Sequence, residues 1–154
     1  MNDQAPLHGS AFAYGGSGCL ILGASGTGKS RITAEALMMG AKLIGDDRIV
    51  LQPLMGMVAA AAAPEIAGVI ELRGLGLLRM NDTLGKHVLH LVIELDPTAD
   101  ERLPRVEKRQ FLGVDVPYLR MAPAPYASAA MILLYLKAMQ EGRVLPADWK
   151  PKAA

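Results

Sequence analysis

The feature that most limits how this chain folds is a glycine-rich octapeptide placed between two apolar segments. Residues 23–30 read GASGTGKS and match the pattern G-x-x-x-x-G-K-[ST] completely. Residues 19–22 before it have the apolar character of a strand, and Ile32 and Ala36 after it recur at helical spacing. A glycine-rich turn between a strand and the start of a helix is typical of sites that bind phosphate groups. The octapeptide therefore predicts an α/β fold built around this turn.

The residue types of the octapeptide predict a site for a nucleoside triphosphate with Mg²⁺. Its glycines allow backbone conformations that point N–H groups at phosphate oxygens, and the helix that follows adds the positive end of its dipole. Lys29 is expected to contact the outer phosphates, and the hydroxyl of Ser30 is expected to bind Mg²⁺. The predicted nucleotide-binding residues of the octapeptide are Gly23, Ala24, Ser25, Gly26, Thr27, Gly28, Lys29 and Ser30.

Composition and charge place the chain among globular proteins and argue against several classes of partner. Residues 1–154 are enough for one domain with one core, and 51% of them are hydrophobic. A formal net charge of +1 indicates neither a nucleic-acid-binding protein nor a protein of the membrane surface. There is one cysteine, Cys19, and no apolar stretch reaches the roughly 18 residues of a spanning helix. We therefore expect a cytoplasmic protein that binds neither nucleic acid nor membrane.

Several other segments have the length and apolar content of strands or helices. Hairpin strands are predicted at 11–14 and 19–22, short strands at 43–44 and 49–51, a buried central strand at 88–95 and a packed helix at 126–140. The alanine-rich residues 58–63 fit a short strand as well as a helix. The charged residues 98–110 predict an exposed loop.

Some residues that carry chemistry in other proteins are interpreted as structural here. His87 and His90 are oddly spaced in a predicted strand, which points them to opposite faces and argues against a shared metal. Cys19 and the apolar side of the last helix are assigned to the core. Two methionine pairs are expected to fill gaps in that core, and they are Met38 with Met39 and Met55 with Met57.

Two adjacent acids, Asp46 and Asp47, follow the short strand at 43–44 and are predicted to lie in a turn between two strands. A carboxylate at a strand end can approach Mg²⁺ and the γ-phosphate of a bound nucleotide. One of the pair is suited to accept a proton from an incoming hydroxyl while the other orients metal or water. By position alone, a solvated turn explains these acids as well as a functional pair does.

The order of three motifs resembles the bacterial HPr kinase/phosphorylase family. The motifs are GASGTGKS at 23–30, GDD at 45–47 and ELRGLG at 71–76, and the last is unusual enough to be specific. Shorter matches are His8-Gly9, Ala63-Pro64 and Glu101-Arg102-Leu103. The resemblance spans residues 7–118 and implies a single P-loop kinase domain with a mixed sheet, of the HPr kinase/phosphoenolpyruvate carboxykinase-like type. Residues 1–154 resemble its catalytic domain without the family's N-terminal domain.

The resemblance implies a protein serine kinase that uses ATP and Mg²⁺ and phosphorylates an HPr-type phosphocarrier. Many members of the family also remove that phosphate, and the family's hexamers imply a homo-oligomer. The resemblance makes Asp46 the general base and Asp47 its support. It assigns Mg²⁺ to Ser30 and Glu71, phosphate binding to Lys29 and Arg73, a place near the transferring group to Arg102, and a place near the phosphates to His8.

Two departures from the family pattern favour the kinase direction over phosphate removal. Pro104 stands where the family has glycine, and residues 123–128 replace the family's P-G-R-N segment, which removes an arginine. Two other functions remain open on the sequence. One is a non-catalytic ATP-binding sensor that signals to a partner, and the other is a small-molecule kinase or an ATPase.

Overall fold

Strands dominate the structure because most apolar runs are short and end at glycine, proline or aspartate. The computed structural model describes residues 5–153. Its strands are β1 (Leu7–Tyr14), β2 (Ser17–Gly23), β3 (Lys42–Leu54), β4 (Met57–Ala62), β5 (Val69–Leu72), β6 (Gly76–Arg79), β7 (His87–Leu95), β8 (Glu107–Phe111) and β9 (Val114–Met121). Its helices are α1 (Lys29–Met38) and α2 (Ala129–Gln140), and a 3-10 turn lies at Pro64–Ile66.

Seven strands form one mixed sheet in the order β2-β1-β3-β4-β7-β9-β8. β7 is the central strand: it runs parallel to β2 and β9, and its first two residues pair with the middle of β4 in the antiparallel sense. The extra pairing of β2 with β7 curls the sheet round, so that β2 has neighbours on both sides. β5 and β6 form a separate two-stranded hairpin.

The core has two parts, one on each side of the curled sheet. The first packs between the sheet and both helices, with Phe12, Leu91 and Leu136 fully buried at its centre. The second is built from strand residues alone, among them Leu20 and Ile49. Helix α2 begins at a side-chain cap, because the Oγ of Ser128 accepts a hydrogen bond from the backbone N–H of Met131 at 3.3 Å.

Most of the predicted elements are confirmed, with shifts at their ends. The hairpin is β1–β2, the central strand is β7, and the last helix begins three residues later than predicted, at Ala129. The alanine-rich segment 58–63 is almost entirely strand β4, whose alanines pack in the sheet interior. Neither helix within residues 5–153 is long and apolar enough to cross a membrane.

Two predictions about strands are wrong. Residues 43–51 do not form two short strands around a turn, because β3 runs unbroken from Lys42 to Leu54 between β1 and β4. Pairing with β1 keeps residues 42–49 in the strand, and pairing with β4 holds Ile49 to Leu54. Its irregularities are Ile44, which the β1 ladder skips, and Asp47, with a φ of 72°. The charged stretch 98–110 ends in β8, an exposed edge strand, a position where charged residues are favoured.

The expectation that His87 and His90 point to opposite faces is wrong, and so is the assignment of four methionines to the core. The ladder between β2 and β7 skips His90, so the alternation of faces is interrupted and the rings of His87 and His90 lie 6.1 Å apart. The Nδ1 of His90 accepts a hydrogen bond from the backbone N–H of Gly18 at 3.0 Å. The four methionines lie at the end of α1 and at the β3–β4 turn, where they are 43–95% exposed.

Candidate active site

The glycine-rich loop leaves the end of β2 and enters α1 as the sequence predicts. Gly23, Gly26 and Gly28 have φ angles of 151°, 83° and 101°, in the region that favours glycine. A side chain at Gly23 would also meet the Thr27 hydroxyl and the backbone oxygen of Leu95, at 2.8 and 3.0 Å. These positions need glycine for backbone conformation, and at Gly23 also for space.

Lys29 lies under the loop and is 7% exposed. Its Nζ donates hydrogen bonds to the backbone oxygens of Gly23 and Ala24, at 2.8 and 2.9 Å. An ammonium has three donors, so one remains for a further group. Burial lowers the pKa of Lys29, while the negative charges of Asp46 and Asp47 oppose that shift. The side chain is thus held in place at the start of a helix, an environment that favours an anion.

Asp46 is buried, with 3% exposure, and connects three elements. Its Oδ1 accepts a hydrogen bond from the Oγ of Ser30 at 2.6 Å, and its Oδ2 accepts one from the backbone N–H of Glu71 at 3.3 Å. These bonds join the middle of β3 to the start of α1 and to β5. Because the Ser30 hydroxyl gives its proton to Asp46, both oxygen lone pairs of Ser30 remain available to a cation.

Asp47 points away from Asp46 and pairs with His8. The Nε2 of His8 lies 3.0 Å from the Oδ1 of Asp47, and the two side chains are 54% and 61% exposed. The register of β1 on β3 places Gly9 opposite Asp47 and His8 opposite Arg48, so a regular ladder would put His8 and Asp47 on different faces. The positive φ of Asp47, 72°, interrupts that alternation. One acid of the pair therefore supports the loop, and the other reaches solvent beside an imidazole.

The loop, the start of α1, β1 and the β5–β6 hairpin enclose a cavity of about 620 Å³, which we call the glycine-loop cavity. This volume lies within the range of small-molecule and cofactor sites. The predicted residues that line it are His8, Ser25, Gly26, Gly28, Lys29, Ser30, Asp47, Glu71 and Arg73. Gly23, Ala24 and Thr27 belong to the loop but do not line the cavity. The Thr27 hydroxyl donates a hydrogen bond to the backbone oxygen of Ala24 at 2.7 Å within the loop.

A known family matches this chain over most of its length. The family described as HPr Serine kinase C-terminal domain matches residues 1–140. The chain belongs to the HPr serine kinase C-terminal domain family.

Curated relatives agree with this assignment. The HPr kinase/phosphorylase of Malacoplasma penetrans is 30% identical over 92% of this chain and 52% of its own length. That of Caldanaerobacter subterraneus is 32% identical over 84% of this chain and 47% of its own length. The chain spans about half the length of the curated relatives it matches.

A solved structure from the same family has the same fold. The Hpr(Ser) kinase/phosphatase from Coxiella burnetii superposes with a TM-score of 0.77 at 20% sequence identity, over 90% of this chain and 99% of that one. The mixed α/β fold with few helices is therefore that of an HPr serine kinase C-terminal domain.

Arg102, which the resemblance places near the transferring group, lies away from the glycine-loop cavity. It lies in the loop between β7 and β8 and lines a separate cavity of about 1370 Å³, beside α2 and residues 144–149. Pro104, which stands where the resemblance expects glycine, lines the same cavity. In this chain Arg102 therefore has no contact with the predicted phosphate site.

The apolar wall of the glycine-loop cavity was missed by reasoning from the sequence. Leu72 and Leu75 line it beside Glu71 and Arg73. Leucines are neither charged nor nucleophilic, so they are not among the site residues predicted from the sequence. The signal was nevertheless present, since both leucines belong to the ELRGLG motif by which the sequence resembles the HPr serine kinase family.

No group of three or more His, Cys, Asp or Glu side chains within residues 5–153 is arranged to hold a metal ion. This finding bears little on Mg²⁺, which proteins usually bind through one or two side chains together with water and substrate phosphates. The half-buried Ser30 and the exposed Glu71 both line the glycine-loop cavity, and their side-chain oxygens are donors of the kind that Mg²⁺ takes.

Proposed function

We propose that this chain is the catalytic domain of a serine kinase that transfers the γ-phosphoryl group of ATP, in the presence of Mg²⁺, to an HPr-type phosphocarrier. The observation that carries the proposal is the set of groups at the glycine-loop cavity: a buried lysine, a serine held by a buried aspartate, and an exposed aspartate–histidine pair. Membership of the HPr serine kinase C-terminal domain family supports the choice of reaction and of acceptor.

The glycine-rich loop binds the triphosphate in this proposal. Backbone N–H groups of the loop and of the first turn of α1 donate to phosphate oxygens, and Lys29 contributes the donor that the loop does not use. Arg73, at the turn of the β5–β6 hairpin, adds a second positive charge at the cavity wall. Ser30 and Glu71 would hold Mg²⁺, which neutralises phosphate charge when bound.

Asp47 accepts the proton of the attacking serine in this proposal, and Asp46 positions Ser30. The resemblance instead makes Asp46 the general base and Asp47 its support, but Asp46 is buried with both oxygens engaged, whereas Asp47 lines the cavity. The serine oxygen forms a bond to the γ-phosphorus as its proton passes to the Asp47 carboxylate. The bond between the γ-phosphorus and its bridging oxygen breaks, and ADP leaves. His8 holds the Asp47 carboxylate in orientation.

The experiment that tests the proposal combines the protein with Mg²⁺, γ-labelled ATP and an HPr-type carrier, and follows label on the serine of the carrier. We expect the wild-type protein to label the carrier and Asp47→Asn to lose labelling. Asp115→Asn, an exposed acid on β9, is the matched control and is expected to keep it.

Two outcomes would replace the proposal by one of its alternatives. ATP binding without a labelled carrier would point to a sensor. ATP turnover at the same rate with and without any protein acceptor would point to an ATPase, and turnover that needs a small hydroxylated compound would point to a small-molecule kinase. Phosphate removal, a homo-oligomeric state and a cytoplasmic location stay predictions.

A further inference from the structure

The β5–β6 hairpin exposes apolar side chains beside the glycine-loop cavity. Leu75, Leu77 and Leu78 are 86%, 72% and 46% exposed, and all four residues of β6 are exposed. The hairpin is anchored to the body of the protein on its β5 strand, where Ile70 is buried. An isolated hairpin gains little stability from exposed leucines, and a cluster of them near a functional site marks contact with another molecule.

The exposed leucines are continuous with the cavity. Leu75 lines the cavity together with Glu71 and Arg73. Leu77 is the direct cross-strand partner of Glu71, so the two side chains share one face of the hairpin. Arg79 lies two residues further along the same strand and therefore on the same face. A molecule bound over Leu77 therefore lies next to Glu71 and to any ligand group bound there.

We propose that the face formed by Leu75, Leu77 and Arg79, which we call the hairpin face, is the surface on which the protein acceptor docks. The inference rests on the proposed kinase function and specifies the chemistry of its partner. The acceptor is a folded protein whose reactive serine lies within an apolar patch, with a carboxylate at the edge of that patch. A small acceptor would fill the cavity without covering Leu77.

Charge supports a partner with an acidic group at that position. Within the described residues 5–153, Arg79 makes no ion pair. Most of the ion pairs in that range join neighbouring elements of the protein. An exposed arginine beside leucines can pair with a carboxylate of a partner and contribute to its orientation.

The size of the hairpin face favours a transient protein partner over a second copy of this chain. Two leucines and one arginine on one short hairpin form a small patch. Permanent subunit interfaces are larger and more apolar, whereas transient signalling contacts lie at the low end of interface size. A kinase must also release its product, which a small docking surface allows.

The test measures binding of a fluorescently labelled HPr-type carrier, by anisotropy, in the presence of Mg²⁺ and a non-hydrolysable ATP analogue. We expect Leu77→Ser to weaken carrier binding by roughly tenfold or more, as loss of a central apolar contact does. Leu77→Met, which keeps the apolar surface, is expected to bind the carrier as the wild type does. Met55→Ser, which removes an apolar side chain that is 95% exposed at the β3–β4 turn, is the control and is expected to have no effect.

The same samples separate failure of this inference from failure of the proposed function. Carrier binding by Leu77→Ser equal to that of the wild type overturns the docking surface, even if the wild type labels the carrier. A lower oligomeric state of Leu77→Ser in light scattering assigns the hairpin face to a second copy and also overturns it. A wild type that binds the carrier and never labels it overturns the kinase function alone, and absence of both binding and labelling overturns both. Nucleotide binding and circular dichroism establish that each variant is folded.

Discussion

Burial separates two neighbouring carboxylates whose roles are indistinguishable in the sequence. Asp46 lies inside the protein and joins β3 to the start of α1 through the Ser30 hydroxyl. Asp47, the next residue, reaches the cavity and pairs with His8, more than thirty positions away in the chain. Two carboxylates in such different environments are expected to contribute to different steps, one to binding and one to transfer.

The two aspartates are expected to differ when each is replaced by asparagine. Asp46→Asn removes the charge that orients Ser30, so ATP with Mg²⁺ should bind about 10- to 100-fold more weakly. Asp47→Asn should leave that affinity close to the wild-type value and slow transfer by about 10²- to 10⁴-fold, because the proton acceptor is lost. Calorimetric titration and single-turnover labelling measure the two effects. If Asp46→Asn keeps nucleotide affinity and loses transfer, the roles are those that the resemblance implied.

The thiol of Cys19 is expected to be inert in the native protein. Cys19 is fully buried between the sheet and the helices, and burial raises the pKa of its thiol far above the ordinary value. We therefore expect no alkylation by iodoacetamide at neutral pH and complete alkylation in urea, as measured by intact mass. Rapid modification of the native protein would show that this part of the core opens readily.

At the scale of elements, the ends of β7 and β9 are joined by one carboxylate. Asp96, directly after β7, accepts hydrogen bonds from Arg120 of β9 and from the backbone N–H and hydroxyl of Thr98. The strands run parallel here, so their ends have no hairpin to connect them. The cluster is expected to support the register of the two strands.

Asp96 makes the stability of the protein depend on pH in the acid range. The hydrogen bonds from Arg120 and then Thr98 lower the pKa of Asp96 from 3.8 to about 2. A carboxyl whose pKa is lowered in the folded state stabilises the protein above its unfolded pKa, and this contribution is lost as the pH falls toward 2. Urea titrations at a series of pH values should show a smaller loss of stability over this window for Asp96→Asn than for the wild type. Asp115→Asn should retain the wild-type dependence, and equal slopes for all three proteins would contradict the prediction.

At the scale of the whole molecule, the curl of the sheet positions the site. Pairing of β2 with β7 sets the end of β2, and thus the loop at 23–30, against the middle of the sheet. At Gly18 of β2, an added Cβ would clash with the backbone oxygen of Val88 of β7. The Gly18 N–H also donates to His90, so backbone and side chain both hold this junction.

Gly18→Ala is therefore expected to weaken the closure of the sheet. The new methyl group meets backbone rather than a flexible side chain, so the strands must separate, at a cost of about 1–3 kcal/mol or more. Gly16→Ala, in the β1–β2 turn with open space around it, is expected to cost about 1–2 kcal/mol through its positive φ alone. Chemical denaturation with free energies extrapolated to water compares the two. A smaller loss for Gly18→Ala than for Gly16→Ala would contradict the prediction.

Features set by local chemistry could be predicted from the sequence. The strand–loop–helix unit, the β1–β2 hairpin, β7 and α2 follow from apolar spacing and from glycine positions, and the structure contains all four. The continuity of β3 could not be predicted in this way, because Gly45 and two aspartates resemble a turn in the sequence, and only their pairing with β1 keeps them within the strand. His87 and His90 lie close together for a related reason. The ladder between β2 and β7 skips His90, and a skipped residue changes the face of the sheet on which a side chain lies.

The candidate site likewise has features that the sequence predicts and features that depend on the fold. The loop, its lysine and serine, and the motifs that identify the family can be recognised from the sequence, because they depend on residue type and local spacing. The inward position of Asp46, the contact of Asp47 with His8, the place of Arg102 at another cavity and the leucines beside the site are seen only in the folded protein. These facts depend on strand register and on long-range packing, which bring together residues that no local pattern relates.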